Sequence, residues 1–210
     1  MSRTTLVLVA AALALASSAP DADAGARRSR PLRTGQTLCW DTAGGEMPCA
    51  GTGQDGDLRR GEPRAYQDQG DGTVRDKRTA LTWEKLSDDG SVHDKDTTYT
   101  WASAFAKIDD LNTVPCFAGF CDWRLPNRFE LESLLLLEDV NPMVSGEFDN
   151  GCMPGCTVLN CSCTFPNYHW TSSSQPGAPR FAWMVHFGGG GVDLDQKTEP
   201  LRVRAVRGGS

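Results

Sequence analysis

The residues with most chemical potential in this sequence are eight cysteines: Cys39, Cys49, Cys116, Cys121, Cys152, Cys156, Cys161 and Cys163. An even number in a chain that reads as exported implies disulfides. Cys39 with Cys49 would close a turn-rich loop and Cys116 with Cys121 a tight one, whereas the last four are too crowded to pair from spacing. The run Cys152-x3-Cys156-x4-Cys161-x-Cys163 also admits zinc, but it lacks the paired C-x2-C spacing of a ribbon or finger, so bridges are preferred. Neither a metal nor a cofactor is expected.

Other groups point away from catalysis. Asp68, Asp71 and Asp76 resemble half of a calcium loop, but Thr79 stands where a bidentate Glu would close it, so a turn is the better reading. His93, His169 and His186 are scattered. A cysteine nucleophile needs a free thiol, which an even count gives no reason to expect. The chain has no Gly-x-Ser-x-Gly elbow, phosphate loop or dinucleotide fingerprint. No catalytic residue is therefore assigned.

Recognition chemistry is easier to place. Six tryptophans, at 40, 83, 101, 123, 170 and 183, could include a sugar-stacking face, yet most sit in segments that read as core. Trp40, in a loop, is the least committed to the interior. The long stretch from Asn141 to Asn167 holds four cysteines and would be costly unless cross-linked or functional. It is the expected binding region, with Phe148, Met153 and Phe165, beside Met143, as its apolar contact surface.

Regular elements must hold these loops. Tyr66, the turn Asp68 to Gly72, Thr73 to Arg75 and Leu81 to Trp83 read as hairpin strands. Trp101, Ala104, Phe105, Ile108 and Leu111 recur at helical spacing after Thr100 as N-cap, and a second helix follows Pro126. Asn127 and Glu130 form its capping box, with Leu131, Leu134, Leu135 and Leu137 as its apolar face. Strands are expected at 168–172, 181–187, 192–196 and 201–207. In the last, Leu201, Val203 and Ala205 face one side, while Arg202, Arg204 and the neighbourhood of Arg207 carry the charge expected of a wetted face.

The ends set the compartment. Arg3, the apolar run Leu6 to Ala16 and the small residues Ala22 and Ala24 make a secretory signal peptide, residues 1–24, cleaved after Ala24. The run is well short of the roughly 20 residues needed to span a bilayer. A basic flexible leader (25–33, with Arg27, Arg28, Arg30 and Arg33), one domain (34–207) and a tail (208–210) follow. The formal charge is −6, so a nucleic-acid partner is not expected. The product should be periplasmic or secreted and not membrane-spanning.

The ordered motifs Thr34-Gly-Gln-Thr37, Gly51-Thr-Gly-Gln-Asp-Gly56, Gly70-Asp-Gly-Thr-Val74, Leu81-Thr-Trp-Glu84, Asp122-Trp-Arg-Leu-Pro-Asn127, His169-Trp-Thr-Ser172, Ala182-Trp183 and Val203-Arg-Ala-Val-Arg207 resemble the Lcl C-terminal domain family. The resemblance implies an α+β, C-type-lectin-like fold: an antiparallel sheet with two helices and long disulfide-tied loops. It also implies an extracellular or cell-envelope glycan or protein as partner and a part in adhesion, since the family's best-known member binds sulfated polysaccharide outside the cell. Calcium-dependent sugar motifs are missing: Gln175-Pro-Gly and Glu199-Pro-Leu lack the third ligand residue. Arg124-Leu-Pro-Asn127 before a Glu-bearing helix is also similar to the formylglycine-generating enzymes, which makes a copper-holding oxidising enzyme the alternative.

Overall fold

The computed structural model describes residues 31–209. The signal peptide and most of the leader lie outside the described residues. Leu32 and Arg33 run beside Glu62, with the Arg33 amide donating to the Glu62 carbonyl at 3.0 Å.

The fold is α+β, with antiparallel pairing throughout its sheets. Three small sheets replace the single sheet expected. β1 (Cys39–Trp40) and β2 (Glu46–Met47) form a ribbon, followed by the short helix α1 (Asp55–Leu58). β3 (Tyr66–Asp68), β4 (Thr73–Asp76), β5 (Thr82–Glu84) and β9 (Val206–Arg207) form a four-stranded sheet in that order. β6 (Tyr168–Ser174), β7 (Phe181–His186) and β8 (Val192–Gln196) form a three-stranded meander. The helices are α2 (Trp101–Asn112) and α3 (Arg128–Glu132).

Side-chain alternation on β7 explains the layering. Ala182 and Met184 join Ala104, Ile108 and Leu111 of α2 in one cluster, while Val185 joins Leu131 of α3 and Val74, Trp83 and Val206 of the four-stranded sheet in another. The meander is thus covered on both faces. Thr100 caps α2 by accepting from the Ser103 amide at 3.2 Å, and Asn127 and Glu130 complete the capping box of α3.

Two expectations need correction. The second helix ends at Glu132, because Ser133 Oγ donates to the Glu130 carbonyl at 2.6 Å and the Arg64 guanidinium captures the carbonyls of Ser133 and Leu135. Leu134 and Leu135 still reach the core from the turn beyond, but Leu137 is partly exposed. The segment 201–207 is not one half-wetted strand. Leu201 bridges Tyr99, Arg202 bridges His169, and Val206 pairs with both Trp83 and Arg124. The segment passes between other elements, so both of its sides are covered, and Arg204 is buried rather than solvated.

All eight cysteines are bridged: Cys39–Cys49, Cys116–Cys121, Cys152–Cys163 and Cys156–Cys161. Among the described residues no helix is long and apolar enough to cross a membrane.

Candidate functional site

A cavity of about 530 Å³ opens between the β3–β4 hairpin and the cross-linked loop, a volume within the range of small-ligand pockets. Asp68 and Lys85 line it from the sheet; Glu147, Asp149, Asn160 and Ser162 line it from the loop.

Its rim is rigid for local reasons. Asn150 and Ser162 exchange backbone hydrogen bonds at 2.7 and 2.9 Å, making a short antiparallel bridge inside an otherwise irregular stretch. The Thr164 amide donates to Asp149 Oδ1 at 3.1 Å, and its hydroxyl donates to the Phe148 carbonyl at 2.8 Å. On the opposite wall, Asp68 and Asp71 accept from the Gly70 and Thr73 amides, so the half-calcium-loop carboxylates build the hairpin turn. Asp76 likewise accepts from the Arg78 amide.

The polar groups are only partly spent. Lys85 is buried, and its ammonium donates to Asp68 Oδ2 at 2.7 Å; among the described residues no other side chain accepts from it. An ammonium has three donors, so two remain for water or ligand. The Ser162 hydroxyl is buried without a partner among the described residues. Burial pushes the Asp149 carboxyl above its ordinary range. Burial works the same way on Asp68, but the bonds from Lys85 and Gly70 outweigh it and hold that carboxyl low. Three carboxylates against one ammonium leave the site acidic.

Behind the loop stands a buried ionic frame. Arg204, 1% exposed, donates to the Glu84 carbonyl at 2.8 Å and, at 2.7 Å each, to the Cys163 carbonyl and Thr164 Oγ1. The Glu84 carboxylate accepts from Lys107, His93 Nδ1 and the Ala205 amide. Burial would raise the Glu84 carboxyl, yet these partners hold it down at about 2. Arg204 therefore ties the last segment of the chain to the sheet and to the cysteine loop together.

None of the apolar residues expected to bind lines this cavity. Phe148 is a correction: it is fully buried, edge-on to Tyr66 at 4.9 Å, because its loop folds inward onto the sheet. Trp40 and Met153 are exposed, at 46% and 61%. Phe165 is half-buried beneath the Arg202 guanidinium at 3.6 Å. The structure does not gather these three into one face with the pocket. Nor do the basic residues form one surface. Arg207 pairs with Asp122, and Lys197 lies over the Trp101 ring at 3.9 Å.

Two groups have metal-like proximity without being free. The sulfurs of Cys152, Cys156 and Cys163 are close, but Cys152 is bridged to Cys163 and Cys156 to Cys161, so none is a free thiolate. The carboxylates of Asp88, Asp94 and Asp96 converge, but the Lys95 ammonium bonds Asp88 at 3.3 Å and Asp96 at 2.6 Å.

The pocket residues that sequence reasoning missed, Lys85, Asp149 and Ser162, have no motif around them. The available signal was the density of short polar residues inside the cysteine run, from Asp149 to Ser162.

The most specific sequence motif is a clasp. Trp123 is core and donates through Nε1 to the Phe117 carbonyl at 3.1 Å. Arg124 grips Glu130 through two nitrogens at 2.8 and 2.7 Å, and the Pro126 carbonyl accepts from the Ser172 amide at 2.8 Å. No curated protein matches the chain. Residues 72–207, which include the clasp, Arg204 and every pocket residue except Asp68, match the Lcl C-terminal domain. The chain belongs to the Lcl C-terminal domain family.

Proposed function

We propose that this chain is an exported, non-catalytic binding module of C-type-lectin-like fold, whose polar pocket takes a glycan and thereby contributes to adhesion. The observation that carries this reading is the pocket itself. The sheet edge and a cross-linked loop together hold carboxylates, amides and a buried ammonium with spare donors around one cavity, with Ser162 among its lining residues. Each sugar hydroxyl can donate to a carboxylate and accept from an ammonium or amide, so mixed polarity suits vicinal hydroxyls. The acidic balance favours neutral or amine-bearing sugars over sulfated ones, which would want a basic face. Four bridges suit an oxidising compartment and lower the ordering cost of the loop.

A glycan array on the purified domain, repeated with Asp149→Asn and Lys85→Met, tests this. Binding to a neutral or amine-bearing glycan that weakens about tenfold in either variant, the loss of one charge-assisted bond, is the expected result. Binding confined to sulfated chains, or unaffected by both variants, would overturn the pocket assignment. The oxidising-enzyme alternative requires a free cysteine pair. A thiol count under denaturing, non-reducing conditions separates the two: zero thiols supports the binding module, and two that take up copper support the enzyme.

A further inference from the structure

Cys152 is exposed, whereas its partner Cys163 is fully buried. Cys163 Sγ lies 3.7 Å from Cys156 Sγ and 3.8 Å from Cys161 Sγ, so one disulfide touches the other. Cys161 in turn lines the polar pocket. We propose that these four cysteines form a thiol-exchange relay, entered from solvent at Cys152 and ending in a reactive thiol at Cys161 inside the pocket.

The chemistry needs one external thiol, of the glutathione or protein-dithiol class. Its thiolate attacks Cys152 Sγ; a mixed disulfide forms, the Cys152–Cys163 bond breaks, and the electron pair leaves on Cys163. The Cys163 thiolate then attacks Cys156 Sγ. The Cys156–Cys163 bond forms, the Cys156–Cys161 bond breaks, and Cys161 leaves as a thiolate that takes a proton from water. Two disulfides and one thiolate enter, and two disulfides and one thiolate leave. No further oxidant or reductant is consumed.

Burial and spacing set each direction. Solvent thiols reach Cys152 because Cys163 is enclosed. Cys163 Sγ flanks the Cys156–Cys161 bond at nearly equal distances, so once released it must turn to come in line behind Cys156; Cys161 is the disfavoured target because only Ser162 separates it from Cys163, and disulfide geometry disfavours closing so small a ring. Cys161 is the better final leaving group because it borders the polar cavity that Lys85 also lines. The relay does not depend on what the pocket binds.

A Cys152→Ser variant leaves Cys163 without its partner and so starts the second step by itself. Alkylation followed by peptide mapping should find label on Cys161 over Cys163 by about tenfold, with a Cys156–Cys163 bridge. Label on Cys163 with Cys156–Cys161 intact would overturn the relay. Should that variant not fold, the unaltered protein treated with glutathione under native conditions answers the same question. Glutathione on Cys152 with a thiol at Cys161 supports the relay; glutathione on Cys152 with a thiol at Cys163, or no adduct at Cys152, refutes it.

Discussion

The Lys107 ammonium lies 2.9 Å from a carboxylate oxygen of Glu84, and both side chains are fully enclosed. A charge pair taken out of water is costly to break from one side, since the survivor keeps its desolvation cost and loses its partner. Glu84→Gln should therefore cost about 3–5 kcal/mol in urea unfolding. The double variant Glu84→Leu, Lys107→Met should lose much less than the sum of the singles. Additive losses would show that the two groups act independently.

Acid should unfold the protein from an unusually high pH, and the cause is His169. Burial, aided by Arg204, pushes its pKa from 6.5 down to about 3, and Nδ1 is occupied by the Asn167 carbonyl at 3.0 Å. The native state holds this ring neutral while the unfolded chain protonates it below 6.5, so stability is complete above 6.5 and drains as the pH falls toward 3. The expected loss between pH 6.5 and 5 is about 2 kcal/mol. Glu84 adds a further loss with the same sign only below its unfolded value of 4.5. Unfolding curves of a His169→Gln variant should be nearly flat from pH 6.5 to 5; an unchanged slope would assign the effect elsewhere.

Arg204 and Arg207 sit three residues apart on one segment yet should behave differently. Arg204→Lys cannot span the Glu84 and Cys163 carbonyls and Thr164 Oγ1 with one ammonium. Its expected cost is about 2–4 kcal/mol, with faster proteolysis between Cys152 and Cys163. Arg207→Lys loosens a more exposed pair with Asp122 and should cost under about 1 kcal/mol. Equal costs would refute Arg204 as the brace of the loop.

The clasp predicts a graded series. Asn127→Ala removes one cap and should cost about 1 kcal/mol. Glu130→Gln loses the charge that Arg124 grips at two oxygens and weakens the reciprocal half of the capping box, so it should cost more. Thermal melts of the two variants, read side by side, check the order.

Local rules made much of this architecture legible. The caps Thr100 and Asn127, the hairpin turn of Asp68 to Asp71 and the isolated cysteine pairs, Cys39–Cys49 and Cys116–Cys121, depend on residues close in sequence. The pairing of Cys152 with Cys163 around Cys156 with Cys161 was illegible because spacing alone leaves several closures open.

What the amino-acid order determined by itself was the hairpin, the meander strands, the caps that start two helices and a stretch too irregular to stand without cross-links. Tertiary structure decided which sides of those elements meet water. Alternation assigned Arg204 one side of a strand, and only the packing of the cysteine loop onto that side turned it from a solvated charge into the buried tie between Glu84 and Cys163. The pocket is of the same kind: Lys85 and Ser162 are far apart in the chain, and they line a common cavity only after the hairpin and the loop have docked.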